Sequence, residues 1–254
     1  MTENRIKLTE RVKEGWRISA KGYSKIIQEE FKDGVNTFWA KIILSKVPYD
    51  GVLKILDVGT GPGFFAILLS QAGHTVSGID ASAEMIACAK ENAANVKVNP
   101  ELWVMDSHNL DFENETFDLI VNRNVVWTLT DPVKAYREWH RVLKSAGRLI
   151  VFDGNWSSNI DDRVKSLSDA DREEYIKKYG QPPLSYKPDE EEKARGWKRD
   201  MPLDNEKRPD WDEKTLSSIG YRNIGSKFIL DEVFDEKREL LNRANPMFML
   251  WALK

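Results

Sequence analysis

The stretch that most constrains this chain is residues 52–80, VLKILDVGTGPGFFAILLSQAGHTVSGID. Val52, Leu53, Ile55, Leu56 and Val58 read as a buried strand carrying Asp57, and Gly59-Thr60-Gly61-Pro62-Gly63 follows as a tight turn. Phe64, Phe65, Ile67, Leu68 and Leu69 then recur at helical spacing until Gly73 closes the helix. A second short strand, 74–79, ends on Asp80. Strand, glycine turn, helix, strand and acid together make one half of a nucleotide-binding α/β unit. Glycine lets the backbone approach a ligand where a Cβ would clash. The helix start at 63–65 offers free N–H groups, and Asp80 stands where it can accept both hydroxyls of a ribose.

The glycine spacing selects among nucleotides. A dinucleotide turn needs G-x-G-x-x-G, and its sixth position here is Phe64; a phosphate-binding P-loop needs a Lys-Ser or Lys-Thr that does not follow. The pattern D-V-G-T-G-P-G, joined to Asp57 and Asp80, resembles motif I of the class I S-adenosylmethionine (SAM)-dependent methyltransferases. SAM has a ribose and an adenine but no phosphate, which suits a turn without a pyrophosphate grip. The resemblance covers about residues 50–153, and 215–254 as topology. It is nearest to the small-molecule branch typified by quinone-biosynthesis enzymes.

The resemblance implies an α/β fold: a Rossmann-like, seven-stranded, mostly parallel sheet with helices on both faces and an N-terminal helical cap; residues 157–214 depart from it and read as an inserted lid over the substrate or a solvated excursion pinned by its aromatics. It implies SAM as methyl donor and S-adenosylhomocysteine as product. The cofactor residues it implies are Asp57, Gly59, Thr60, Gly61, Gly63 and Asp80, then Ala81, Ser82 and Met85 over the adenine, Asp106 and Ser107 after the third strand, and Asn122 after the fourth.

Four segments follow from the pattern: a helical cap over 1–50, a core over 51–156, an insertion over 157–214 and the end of the sheet over 215–254. In the cap, Trp16, Ala20, Tyr23, Ile26, Ile27 and Phe31 form one apolar stripe behind a charged lead-in at 5–12, and Phe38, Trp39, Ile42, Ile43 and Val47 form another. Residues 81–94 read as a helix capped by Ser82, 102–105 as a strand and 119–121 as a central strand apolar on both faces. Asn122, Arg123, Asn124 and Trp127 lie beyond that strand's carboxyl end, where open parallel sheets bind ligands. Thr130-Asp131-Pro132 starts a helix, and 148–153 is a strand followed by Asn155 and Trp156. The insertion holds five of the chain's ten prolines yet carries Tyr175, Tyr179, Tyr186, Trp197, Met201 and Trp211, too many aromatics for a disordered tract. Residues 169–179 read as its helix. A last helix, 212–219, precedes two closing strands, 221–230 and 246–253, joined by 232–243.

Methyl transfer from a sulfonium is an SN2 displacement with a neutral leaving group, so alignment and exclusion of water are the main tasks. His108, Asp153 and Tyr23 are the candidate bases and Asn124 a candidate polar contact; Trp16, Trp127 and Trp156 are candidate walls for the acceptor. Three scattered histidines and one cysteine, Cys88, give no metal-ligand spacing and no intrachain disulfide. The lone cysteine and the absence of an apolar signal core in 1–15 point to a cytoplasmic protein. No 18-residue apolar run predicts a membrane span. A net charge of −3 with interspersed signs argues against nucleic acid. The expected partner is a small-molecule acceptor. A peptide or protein acceptor held by 157–214, or a non-catalytic SAM-binding regulator, shares the same core pattern, and oligomeric state is not encoded in it.

Overall fold

The computed structural model describes residues 3–34, 36–48, 51–156, 162–184 and 196–254. Tyr186 and parts of the proposed insertion lie outside the described residues. Seven strands form one sheet: β1 (Lys54–Val58), β2 (Thr75–Asp80), β3 (Glu101–Val104), β4 (Phe117–Arg123), β5 (Leu143–Asp153), β6 (Arg222–Ile229) and β7 (Met247–Leu253). Their order is β3-β2-β1-β4-β5-β7-β6. The first five run parallel, and β7 is antiparallel to both β5 and β6. This is the Rossmann-like sheet the glycine turn implied. The strand order reverses between β1 and β4, so the carboxyl ends of those two strands open a crevice.

Helices cover both faces: α1 (Glu3–Lys32), α2 (Asn36–Leu44), α3 (Phe64–Gln71), α4 (Ala83–Asn95), α5 (Pro132–Val142), α6 (Asp162–Tyr179), α7 (Asp210–Ile219) and α8 (Glu236–Asn242). The alternation of β4 sorts the core. Leu119 and Val121 pack with Trp39, Phe64, Phe65 and Phe152 on one face. Ile120 packs with Tyr136, Trp139, Leu216 and Leu250 on the other. Burial on both faces is why these strands read as continuous apolar runs.

Several boundaries differ from the pattern. The charged lead-in at 5–12 is part of α1: Glu3–Lys7, Glu10–Lys13 and Glu14–Arg17 pair along its exposed side while Val12, Ala20 and Ile27 are buried. His74 lies before β2, its Nδ1 accepting from the Leu53 N–H at 3.3 Å. β5 begins at Leu143 rather than 148, because the chain stays paired with β4 through a register shift around Ala146, whose φ is 62°. The insertion's helix begins at Asp162, and the 214/215 boundary falls inside α7. Among the described residues no helix is long and apolar enough to cross a membrane.

Helix α1 is tied to the sheet by a buried ion pair. Arg123 on β4 donates two hydrogen bonds, both 2.7 Å, to the two carboxylate oxygens of Glu30 on α1. Its guanidinium also lies 4.9 Å from the Trp39 ring centre and 4.5 Å from that of Phe64. Removing one partner of a buried pair leaves the other charge uncompensated, so Glu30→Ala is expected to lower stability by about 3–5 kcal/mol. Urea unfolding of the two proteins measures this, and an unchanged midpoint would mean the pair does not anchor α1.

Candidate active site

The glycine turn takes its shape from Asp57. Its buried Oδ2 accepts from the Thr60 hydroxyl at 2.5 Å and from the Ala66 N–H at 2.9 Å. One carboxylate thereby folds the turn back on β1 and caps the start of α3, where Gly63 has no side chain to do so. Burial pushes the Asp57 carboxyl up to about 7, against the lowering effect of those two bonds. Gly59 adopts φ +63°, and a Cβ there would stand 2.4 Å from Val125 Cγ2, so this residue must be glycine.

Asp80 holds the other side of the turn. Its Oδ2 accepts from the Gly61 N–H at 3.0 Å and its Oδ1 from the Ser82 N–H at 2.8 Å. Ser82 in turn caps α4 by accepting from the Met85 N–H. Burial raises the Asp80 carboxyl to about 6. These groups line a cavity of about 840 Å³, measured with its open mouth. Its far wall is the segment after β3. There Asp106 Oδ1 accepts from the His108 N–H at 3.0 Å and pairs with His108 Nδ1 at 2.7 Å. Burial raises the Asp106 carboxyl, but the bonds from His108 outweigh it and hold it below the usual range.

Trp16, Tyr23, Arg123 and Asn124 border this cavity and also a second one of about 1720 Å³ with its opening. They form the junction between the two. Asn124 sits at φ 59° just past β4, its N–H bonded to Phe152 O at 2.8 Å. Its backbone oxygen accepts from Trp127 Nε1 at 3.0 Å and its side-chain oxygen from Trp156 Nε1 at 3.2 Å. The second cavity is walled by α1, by α6 through Val164, Ser168 and Tyr175, and by α8 through Lys237 and Leu241. Trp127 stacks on Trp197 at 5.6 Å, and Trp16 stands edge-on to Trp127 at 6.3 Å.

The structure therefore gathers Gly59, Gly61, Asp80, Ala81, Ser82, Met85, Asp106, Ser107 and His108 around the first cavity, puts Trp16, Tyr23 and Asn124 at the junction, and sets Trp127 and Trp156 on the second. Five residues are placed elsewhere. Asp57 and Thr60 border a small space behind the turn, and Gly63 packs against Ile67 and Ala89; all three shape the loop rather than face the cavity. Asn122 is fully buried on the Ile120 face of β4, and neither atom of its amide has a partner among the described residues. Asp153 is also fully buried, its Oδ2 2.8 Å from Arg208 Nη1, so it is not an open base. His108 lies on the cavity wall, but its Nε2 accepts from the Asp131 N–H at 3.2 Å, which puts the ring proton on Nδ1, toward Asp106. Both ring nitrogens are engaged in these hydrogen bonds.

Thr9, Val12, Lys13 and Met105 also line the first cavity. The first three continue the Trp16–Tyr23 stripe backward at helical spacing, a signal masked by the charges around them. Among the described residues no group of His, Cys, Asp and Glu could hold a metal ion.

Residues 56–151 match the family model described as a methyltransferase domain. This segment of the chain is similar to a methyltransferase domain, on a fold shared with SAM-dependent methyltransferases. It is 36% identical over 100 residues to a phosphatidylethanolamine N-methyltransferase of Cereibacter sphaeroides, covering 39% of this chain and 49% of the relative. It is 33% identical over 122 residues to a demethylmenaquinone methyltransferase of Thermotoga maritima, covering 47% and 52%. The match thus spans about half the length of these curated relatives. In three dimensions it is similar to a phosphoethanolamine N-methyltransferase 2 of Haemonchus contortus, solved with phosphomonomethylethanolamine and S-adenosylhomocysteine. That likeness has a TM-score of 0.59 at 19% identity, over 86% of this chain and 52% of the other, and concerns the fold.

The raised Asp80 carboxyl gives a signed pH test. An ordinary unfolded carboxyl ionises near 3.9, so this group favours the folded state most below about pH 4 and loses that contribution as pH rises through about 6. Binding of a ribose draws on the ionised form, so SAM affinity is expected to fall as pH drops below about 6. Asp80→Ala is expected to weaken binding by about 1–3 kcal/mol at pH 7.5 and to flatten the profile. Calorimetric titration at pH 5 and 7.5 checks both; a variant binding like the parent would remove Asp80 from the site.

Proposed function

We propose that this protein transfers a methyl group from SAM to a small-molecule acceptor. The observation that carries this is the pair of cavities meeting at Trp16, Tyr23, Arg123 and Asn124. The first has the acceptor set that an adenosine's hydroxyls and amine need. Each Asp80 oxygen accepts one N–H and keeps a lone pair for a ribose hydroxyl. Met85 and Ile79 give apolar flanks for the adenine. Asp106 Oδ2 has no partner among the described residues and can take the exocyclic amine, with Ser107 beside it. Ala81 and Ser82 close that end, and Gly59 and Gly61 leave room for the amino-acid part of SAM.

Bound there, SAM supplies a sulfonium methyl whose departing thioether needs no proton. The chain's residues do the rest by alignment. Asn124 and Tyr23 flank the junction, and the Asn124 amide N–H₂, which has no partner among the described residues, can hold an acceptor in line. Trp16, Trp127 and Trp156 present apolar faces that exclude water from the second cavity. His108 and Asp153 are both engaged elsewhere, which leaves Tyr23 as the candidate base at the junction; an amine in its free form, a thiolate or a stabilised carbanion would need none.

Helices α1, α6 and α8 wall the second cavity on several sides, which favours a compact acceptor over a folded protein. On this view 1–50 is the cap, 157–214 the lid and the setting cytoplasmic. A peptide or protein acceptor is the competing possibility. Incubating the protein with methyl-labelled SAM and a fractionated cell extract separates them. Label in the low-mass fraction is the expected result, whereas label confined to protein would overturn the small-molecule assignment.

A further inference from the structure

The carboxyl end of the insertion enters the body of the protein through Arg208, which is 3% exposed. Its Nε and Nη2 donate to Asp212 at 2.8 and 2.9 Å, and its Nη1 to Asp153 Oδ2 at 2.8 Å. Its backbone exchanges two hydrogen bonds with the Asn155 side chain, and its guanidinium lies 5.1 Å from the Phe248 ring centre. Asp212 also accepts from the Tyr136 hydroxyl at 2.6 Å.

Asp153 passes this arrangement on to the acceptor cavity. Its Oδ2 accepts from the Trp127 N–H at 3.1 Å and its Oδ1 from Trp156 Nε1 at 3.1 Å. Trp156 Nε1 is shared with the Asn124 side-chain oxygen, and Trp127 Nε1 donates to the Asn124 backbone oxygen. One unbroken series of hydrogen bonds thus runs from Arg208 to the residue at the junction. A buried ion cluster is a poor way to add stability, since apolar residues of similar volume do as well. What it adds is direction: the fork on Asp212 holds the guanidinium in one orientation, and its remaining Nη1 then places Asp153 Oδ2, the atom that also takes the Trp127 N–H.

We propose that Arg208 is a positioning residue for methyl transfer: by orienting Asp153 it sets the Trp156 indole and the Trp127 backbone, and through them the Asn124 amide at the junction. The catalytic part of this rests on the methyltransferase assignment; the positioning part does not.

The test uses the full chain labelled with nitrogen-15. Nine tryptophans give nine indole N–H signals, and Trp156→Phe identifies that of Trp156. Arg208→Lys keeps the charge but loses the fork. The expected result is that Arg208→Lys shifts the Trp156 and Trp127 indole signals, leaves that of Trp103 on β3 in place, keeps the SAM dissociation constant within about twofold, and lowers transfer to the extract acceptor by about tenfold or more. Trp156→Phe, with the ion cluster intact, should lower transfer likewise. A Trp156 signal unmoved in Arg208→Lys overturns the proposal, as does full transfer by a folded Trp156→Phe. Should Arg208→Lys fail to fold, Trp156→Phe decides alone. A parent protein that transfers no methyl would instead count against the methyltransferase assignment, and the indole signals would still show whether Arg208 sets the wall.

Discussion

Two hydrogen bonds to one buried carboxylate hold the ligand end of this molecule in shape. Asp57 accepts from Thr60 and from the first turn of α3, and every later contact depends on the turn those bonds produce. The turn is strung between two acids on neighbouring strands, because Asp80 at the end of β2 takes the Gly61 N–H. Asp57 is buried and Asp80 borders the cavity, and desolvation raises both. The unfavourable desolvation is offset by backbone and hydroxyl donors aimed at them, as the hydrogen-bonding rule for buried charges requires.

Ion pairs add to the apolar packing at the two ends of the site. The sheet and its flanking helices are held by apolar packing on two faces. Helix α1 and the segment before α7 each also make a buried arginine pair with the sheet: Glu30 with Arg123, and Arg208 with Asp153, alongside Asp212. Apolar contact alone is tolerant of sliding. A bidentate guanidinium is not, and the Arg208 cluster reaches Trp127 and Trp156 through Asp153.

Local signals carried the core of the fold. The glycine turn, the strand-end acids and the helical period of 64–69 are short-range patterns, and the elements they predict stand where expected. The residues that line the first cavity were legible for the same reason: Asp80 ends β2, Ser82 and Met85 come just after it, and Asp106 comes just after β3. Asp153, Asn122 and His108 were not, because position after a strand does not reveal the partner. Arg208 is 55 residues from Asp153, and the Asp131 N–H that engages His108 is 23 residues away. Nothing in the spacing of Asn122 distinguishes the core face of β4 from the cleft face. The backward extension of the α1 stripe to Thr9 was hidden because charged residues outnumber apolar ones there.

The central claim is that the turn between Asp57 and Asp80 holds the adenosine of the methyl donor, with the reacting end at the Trp16–Tyr23–Asn124 junction. A crystal structure with S-adenosylhomocysteine tests it most directly. The predicted result is both ribose hydroxyls on Asp80, the adenine amine at Asp106, and the sulfur facing the junction toward the second cavity. Product bound elsewhere, or bound here with its sulfur turned away from Asn124, would contradict it.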